Sequence, residues 1–466
     1  MALYRLIRQL LRFVLGVFFR RIEIVGDEHV PVGGPVLFVG NHPNSLIDPA
    51  VIIAFGGRTV SFAAKDTLFD SGLLRPILRG LGAVPVRRRT DHGEGPVDNN
   101  AFFETLCAAL AAGGAVGIFP EGLSHQESQL QPLKTGAARI AIGVLGREGG
   151  PCRIVPCGLS YSRPRHFRSA LLVQFGEPIV VDDELLAVWG DEAVARIRGL
   201  TARVDHDMRA LTVNSEDWDT VRVLAGVRRL YQPTGLSLEG RIELARRFND
   251  AWPTVRHHPE LRRLYDDVGE YLDRLDVVGL TDRDLDRDLS VWQLARRFYH
   301  RVVRVVLWMP LAAPGFVVHV PAAVFIRWAG VTFSPRKDVV ATSKLVAGVL
   351  LLLLVYAGLG VVGWSIWGLG VSLALAPLLP LSGYATLRVL ERYARLRRLV
   401  VTVGRFAQFR NEVQALRQER QRLIVAVVDA IVRFKPDDLE PLFLDDHPAR
   451  LAGTPPHAAP PTEVVS

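Results

Sequence analysis

One short stretch of this chain carries residue types and spacing suited to moving a proton. In PVLFVGNHPNSLIDP an apolar run, Pro35–Val39, ends in Gly40; Asn41 and His42 follow at once, and Asp48 comes six residues after the histidine. A histidine at a strand end presents its ring above the sheet, where catalytic groups are commonly carried. The intervening PNSLI can turn and bring Asp48 back to the imidazole. A carboxylate on one ring nitrogen fixes the tautomer, and the other nitrogen can then take a proton from an alcohol. Such a pair needs no dedicated serine or cysteine when the hydroxyl belongs to the substrate. Alone it says little, because a loop histidine is more often a surface or capping residue.

Three further stretches change that. GIFPEGLSH repeats the arrangement: an apolar strand, then Glu121, then Gly122, whose missing side chain allows close backbone approach. GAVPVRRRTDHGEG sets three consecutive arginines, Arg87 to Arg89, after a strand. Guanidinium forks match phosphate oxygens and keep their charge, although a solvated turn explains an isolated triplet equally well. PCRIVPCGLSY is an apolar strand with Pro156 in its middle, suited to a core or to the wall of an acyl pocket.

These residues need a scaffold. Short apolar runs alternate with helical stretches from about 21 to 185, which predicts an α/β domain. The expected strands are Ile22–Val25, Pro35–Val39, Thr59–Ala63, Ala83–Val86, Ala115–Phe119, Arg153–Leu159 and Leu171–Phe175. Helices are expected over Asn99–Ala112, capped by Asp98 and ended by Gly113–Gly114, and over Thr135–Leu145. Residues 186–300 alternate arginine pairs and acids with Leu and Val, the pattern of a solvated helical region or lid with no chemistry of its own.

The rest of the chain points to a membrane. The 466 residues are 49% hydrophobic and carry a formal net charge of +8. That balance fits nucleic acid or an anionic membrane surface, and the apolar segments decide for the membrane. Leu345 to Leu387 holds no charged residue, enough for two spans of ~20 residues with a turn near Gly363–Gly370. Lys344 bounds one end of this 344–388 hairpin and Arg388, Arg392 and Arg395 the other, so both ends are expected in the cytosol. The 301–330 segment is also apolar but contains Pro310, Pro314 and Pro321 between basic flanks. A re-entrant or interfacial segment is preferred there, with a kinked full span as the alternative. At the N-terminus, Leu3, Leu6, Leu10, Phe13, Val14 and Phe18 recur at helical spacing among arginines. Residues 1–20 are therefore read as an interfacial amphipathic helix or one packed on the protein's own core. Residues 389–445 read as an Arg-rich amphipathic helical region and 446–466 as a disordered tail. The three cysteines, Cys107, Cys152 and Cys157, form neither a disulfide framework nor a zinc set and are expected to be buried reduced thiols.

NHPNSLID, GAVPVRR, FPEG and IVPCGLSY, in that order, resemble the four blocks of the glycerol-phosphate and lysophosphatidate acyltransferase family. The resemblance covers residues 21–185 and implies a mixed sheet flanked by helices. It implies His42 as general base, Asp48 as its orienting partner, and Arg88 on the acceptor's phosphate. Glu121 and Gly122 match the block that shapes the acceptor site, with Asn41 beside the histidine. Lys65 and Lys134 follow the first and third blocks in positions that resemble the family's, as contacts to a substrate or coenzyme A phosphate or as plain surface lysines. The commonest family pattern has four residues between His and Asp; this chain has five, which resembles a branch including the fungal glycerol-3-phosphate and dihydroxyacetone-phosphate acyltransferases.

The implied activity is O-acyl transfer from acyl-coenzyme A or an acyl-carrier protein to glycerol 3-phosphate or its 1-acyl form. No metal or other cofactor is expected, nor a nucleic-acid partner; the expected partners are the thioester donor, a glycerol-phosphate precursor and membrane lipids. The catalytic domain is expected to face the cytosol, at the cytoplasmic membrane if the source is bacterial. Two rivals are a lysophospholipid-remodelling acyltransferase and a non-catalytic membrane scaffold. The intact His42, Asp48 and Glu121 set weighs against the second.

Overall fold

A computed structural model describes residues 2–70, 72, 74–86, 100–145, 147, 150–231, 237–285, 291–334 and 336–434. It divides into two compact units. The first comprises residues up to Asp217 together with Phe333–Leu345; the second comprises Trp218–Thr332 and everything from Val346 onward.

The first unit is a mixed sheet. Its strands are β1 (Arg21–Val25), β2 (Val36–Gly40), β3 (Val60–Lys65), β4 (Val84–Val86), β5 (Ala115–Ile118), β6 (Cys152–Tyr161), β7 (Ala170–Phe175) and β8 (Ile179–Val181), in the order β1-β7-β6-β2-β5-β3-β4, with β8 also on β6. β6, β2, β5, β3 and β4 run parallel, whereas β7 and β8 are antiparallel to β6. Central β2 is buried at every residue, as a strand covered on both faces must be. Val36 and Phe38 pack on one side with α1 (Ala2–Phe18) and α2 (Ile47–Phe55). Leu37 and Val39 pack on the other with α4 (Asn100–Ala111), α5 (Gly136–Gly143) and α7 (Ala193–Ala210). The short helices α3 (Leu74–Gly80) and α6 (Asp183–Ala187) complete the unit.

Pro156 stands inside a central strand, where a missing N–H would ordinarily break a ladder. Along that edge β6 pairs with β8 through Cys152–Ile154 and with β7 from Cys157 onward, so the proline falls in the gap between two partners.

The α/β unit extends past the expected boundary at 185. In α7, Leu200, Val204 and Met208 form a buried stripe against the sheet while the other faces carry charge, and composition alone hid that stripe. Helix α1 shows both of its expected aspects. Tyr4, Leu15 and Phe18 are buried on the unit, while Leu3, Leu6, Leu10, Phe13 and Val17 form an exposed apolar stripe.

The second unit contains a bundle of α8 (Trp218–Tyr231), α9 (Leu238–Val255), α10 (Pro259–Val278), α11 (Asp282–Leu285) and α16 (Arg410–Phe434) around Tyr271, Leu275, Leu416 and Val427. Its apolar part is α12 (Val291–Thr332), α13 (Val340–Trp367), α14 (Leu369–Leu375) and α15 (Leu378–Gln408). Three helical stretches, Phe298–Thr332, Val340–Trp367 and Leu369–Phe406, are long and apolar enough to cross a membrane. Over 301–330 the chain is one continuous helix, α12, through all three prolines, so it forms no re-entrant turn, and an interfacial helix and a kinked span both fit it. Neighbouring helices can compensate a proline's lost hydrogen bond in an apolar setting, and α15 packs antiparallel along α12. Gly315 and Gly383 allow the approach, and Thr386 Oγ1 donates to the Ala312 carbonyl at 3.0 Å.

Candidate active site

The first block sits at the carboxyl end of β2. Asn41 anchors the loop to β6: its side chain donates to the Leu159 carbonyl at 3.1 Å and accepts from the Leu159 N–H at 2.7 Å. Ser45 then takes φ of 46°, a left-handed conformation unusual for a residue with a side chain. The chain reverses, and Asp48 returns on the first turn of α2. Its carboxylate is fully buried and accepts three hydrogen bonds. Oδ2 receives His42 Nδ1 at 2.8 Å and the Asn44 N–H at 2.6 Å, and Oδ1 receives the Tyr161 hydroxyl at 2.6 Å.

A carboxylate can only accept, so this contact assigns a proton to His42 Nδ1, and in the neutral imidazole Nε2 then carries the lone pair. Nε2 has no hydrogen-bond partner among the described residues. Burial pushes the Asp48 carboxyl above the usual range, opposed by its bonds to His42, Tyr161 and Asn44. Burial and the adjacent carboxylate hold the Tyr161 phenol well above its ordinary value, so it is a neutral donor. The imidazole is stacked flat on Phe119, centroids 4.1 Å apart and 8° from parallel, and Phe119 stacks in turn on Phe62. Gly117 makes room for this: a Cβ there would come within 2.2 Å of the Phe62 ring.

The third block lies beside the first. Buried Glu121 accepts the His42 N–H at 2.9 Å and the Gln131 N–H at 2.9 Å, and pairs with His125 Nε2. His125 in turn donates its backbone N–H to the His42 carbonyl at 3.0 Å. Glu121 therefore ties two loops together, so its carboxylate acts on the site through His42 and His125. That bond to Glu121 raises the His125 pKa, against desolvation and with help from the charges of Glu121, Glu127 and Asp338. Gly122 has φ of 77°, and a Cβ there would lie 2.3 Å from Lys134 Nζ. The lysine amine thus rests directly over the third block.

His42, Asp48, Asn41, Glu121, Gly122 and Lys134 come together at one end of the sheet. Lys65 ends β3, which neighbours β5, but its side chain lies outside the described residues, as does all of Arg88. Sequence reasoning missed Tyr161, Phe119 and His125, although all three stand in or beside quoted blocks. It also missed Asn44 and a segment far along the chain: Thr342 Oγ1 donates to the Asn44 carbonyl, and Asp338 pairs with Ser124. Cys107, Cys152 and Cys157 are free, buried thiols. Burial pushes Cys152 up to about 12 and raises Cys157 too, so neither is a ready nucleophile.

Comparison with known proteins agrees with the four blocks. Residues 21–160 match the acyltransferase family, and residues 223–439 match the glycerol-3-phosphate acyltransferase 2 C-terminal domain. Glycerol-3-phosphate O-acyltransferase 2 of Saccharomyces cerevisiae is 30% identical over 56% of this chain and 37% of its own length. Glycerol-3-phosphate O-acyltransferase 1 of the same yeast is 28% identical over 73% of this chain and 56% of its own. An uncharacterized acyltransferase of Schizosaccharomyces pombe is 22% identical over 96% of this chain and 82% of its own. The chain spans less than two thirds of either Saccharomyces enzyme. Residues 21–160 are thus an acyltransferase domain of the kind its four blocks resemble, followed by a C-terminal domain of the glycerol-3-phosphate acyltransferase 2 type.

Proposed function

We propose that this chain acylates glycerol 3-phosphate, taking the fatty-acyl group from a thioester donor. The observation that carries the reading is His42: one ring nitrogen is committed to a buried carboxylate, and the other has no hydrogen-bond partner among the described residues. In the reaction, Nε2 takes the proton of the acceptor hydroxyl as its oxygen attacks the thioester carbonyl. Asp48 stabilises the imidazolium that results, and Tyr161 and Asn44 hold Asp48. The tetrahedral oxyanion is stabilised by nearby N–H groups or a polar side chain. As the intermediate collapses, the C–S bond breaks and the thiolate leaves with the proton from His42. The product is a 1-acyl-glycerol 3-phosphate; with that compound as acceptor, the same steps give phosphatidic acid. Every bond made and broken is accounted for without a metal or redox cofactor.

The test is to purify the chain in detergent with labelled acyl-coenzyme A, or acyl-carrier protein, and offer glycerol 3-phosphate and 1-acyl-glycerol 3-phosphate separately. Acylation of the first supports the reading. Acylation of the second alone moves the chain to the next step of the same synthesis. Acylation of neither, with transfer to a lysophospholipid of larger headgroup, replaces the reading with lipid remodelling.

The three apolar stretches Phe298–Thr332, Val340–Trp367 and Leu369–Phe406 support a membrane-bound enzyme. Lys344 before the hairpin and Arg388, Arg392 and Arg395 after it favour the cytosol for both of its ends. A cysteine at Lys344 should react with an impermeant thiol reagent from the cytosolic side; labelling from the far side contradicts this orientation.

A further inference from the structure

Residues 333–345 link α12 to α13 and include the first turns of α13, yet they are built into the acyltransferase unit. Three contacts fix them to the loops that carry the site. Buried Asp338 accepts the hydroxyl of buried Ser124, one residue before His125 in the third block. Thr342 Oγ1 donates to the Asn44 carbonyl at 3.5 Å, in the loop between His42 and Asp48. Lys344 Nζ donates to the Arg165 carbonyl at 3.0 Å, in the loop after β6. Ala341 is fully buried in the same core as β2 and α2.

From this segment Arg336 reaches the third block. Its Nη2 donates to Asp338 Oδ2 at 3.0 Å and to Ser124 Oγ at 3.2 Å, while its side chain remains 54% exposed. Only this one nitrogen is engaged among the described residues, so the guanidinium keeps most of its donors for something else. We infer that Arg336 binds the phosphate of the glycerol-phosphate acceptor, with Asp338 and Ser124 as its positioning residues.

The inference rests on the activity proposed above, and charge is its main argument. Asp48, Glu121 and Asp338 put three buried carboxylates at this end of the sheet, a hostile place for a phosphate unless cations face it. Lys134 rests over Gly122 on one side of the third block, and Arg336 holds Ser124 two residues later. A lysine offers a point charge, whereas a guanidinium held by one nitrogen offers a fixed fork that matches two phosphate oxygens. A carboxylate as buried as Asp338 is a costly means of merely attaching a loop; it earns its place by orienting that fork.

The experiment is steady-state kinetics on the purified full chain with Arg336→Gln, Arg336→Lys and Asp338→Asn, varying each substrate in turn. Arg336→Gln should raise KM for glycerol 3-phosphate roughly 10- to 100-fold, the effect of losing a charge-assisted hydrogen-bond pair, and leave KM for the acyl donor within twofold. Arg336→Lys should recover part of that loss, and Asp338→Asn should show a smaller rise in the same constant. An unchanged KM for glycerol 3-phosphate overturns the inference, and so does an equal loss toward both substrates with a lowered Tm, which marks a structural tie. If wild type acylates no glycerol phosphate, the activity proposal falls, and the inference is judged on binding alone. Inorganic phosphate should then raise the Tm of wild type and not that of Arg336→Gln; an equal rise in both overturns it.

Discussion

The molecule contains two buried carboxylates in nearly the same dress. In the acyltransferase unit, Asp48 accepts from Tyr161 at 2.6 Å and from His42 at 2.8 Å. In the helical bundle, Asp282 accepts from Tyr271 and from Arg420 Nε, each at 2.9 Å. Both acids are buried, and both tyrosines are raised by burial and the neighbouring acid. The difference is the third partner. Arginine keeps its charge at any working pH, so the bundle's trio is a fixed tie. Histidine can take and release a proton near neutrality, and the loop that holds it opens from the end of a parallel strand. Buried carboxylate and phenol make a support in both places; exchanging the cation for a titratable ring converts it into a candidate base.

That comparison can be broken in graded steps. His42→Ala should lower the acyl-transfer rate ~10²–10⁴-fold, the usual worth of a general base, while the fold survives the loss of one of buried Asp48's partners at about 1–3 kcal/mol. Asp282→Ala should do the reverse. It strands a buried guanidinium, so about 3–5 kcal/mol of stability should go while turnover per folded molecule holds; urea melts and active-site-normalised rates separate the two. The paired tyrosine variants are subtler. Removal of either hydroxyl costs about 1.5–3 kcal/mol where the acceptor is charged. Tyr161→Phe should show part of that as slower acyl transfer, and Tyr271→Phe should show all of it as lower stability. The smallest effect is on pH. His125 has its pKa raised by Glu121, so its pairing contributes stability that is full below about 6.5 and fades as pH climbs through the higher folded value. His125→Gln should flatten that slope in a series of melts from pH 6 to 9.

Much of the site was readable from the chain because local sequence builds it. Strand, Gly40, His42 and Asp48 fall within one turn, and the loop closes on itself through Ser45 and Asn44. The sheet was legible for the same reason: apolar runs bounded by Gly and Pro name their own limits. Strand β8, only Ile-Val-Val between Pro178 and Asp182, was too short to announce itself. What could not be read was whatever depends on chain returning from afar. Tyr161 reaches Asp48 across 113 positions, and Asp338 reaches Ser124 across 214. Nothing in SPRKDVVATSK says which loop it will meet. The line of Leu200, Val204 and Met208 that seats the helix 193–210 on the sheet is too narrow among charges to stand out in the sequence.

The most direct test of the account is the pH profile of kcat/KM for glycerol 3-phosphate, measured on wild type and His42→Ala after both are shown to be folded. The account predicts that wild type loses activity on the acid side, as general-base catalysis requires, and that the residual rate of the variant is at least a hundredfold lower and lacks that acid limb. A variant within a few-fold of wild type, with the acid limb intact, would contradict the assignment of His42 as the base.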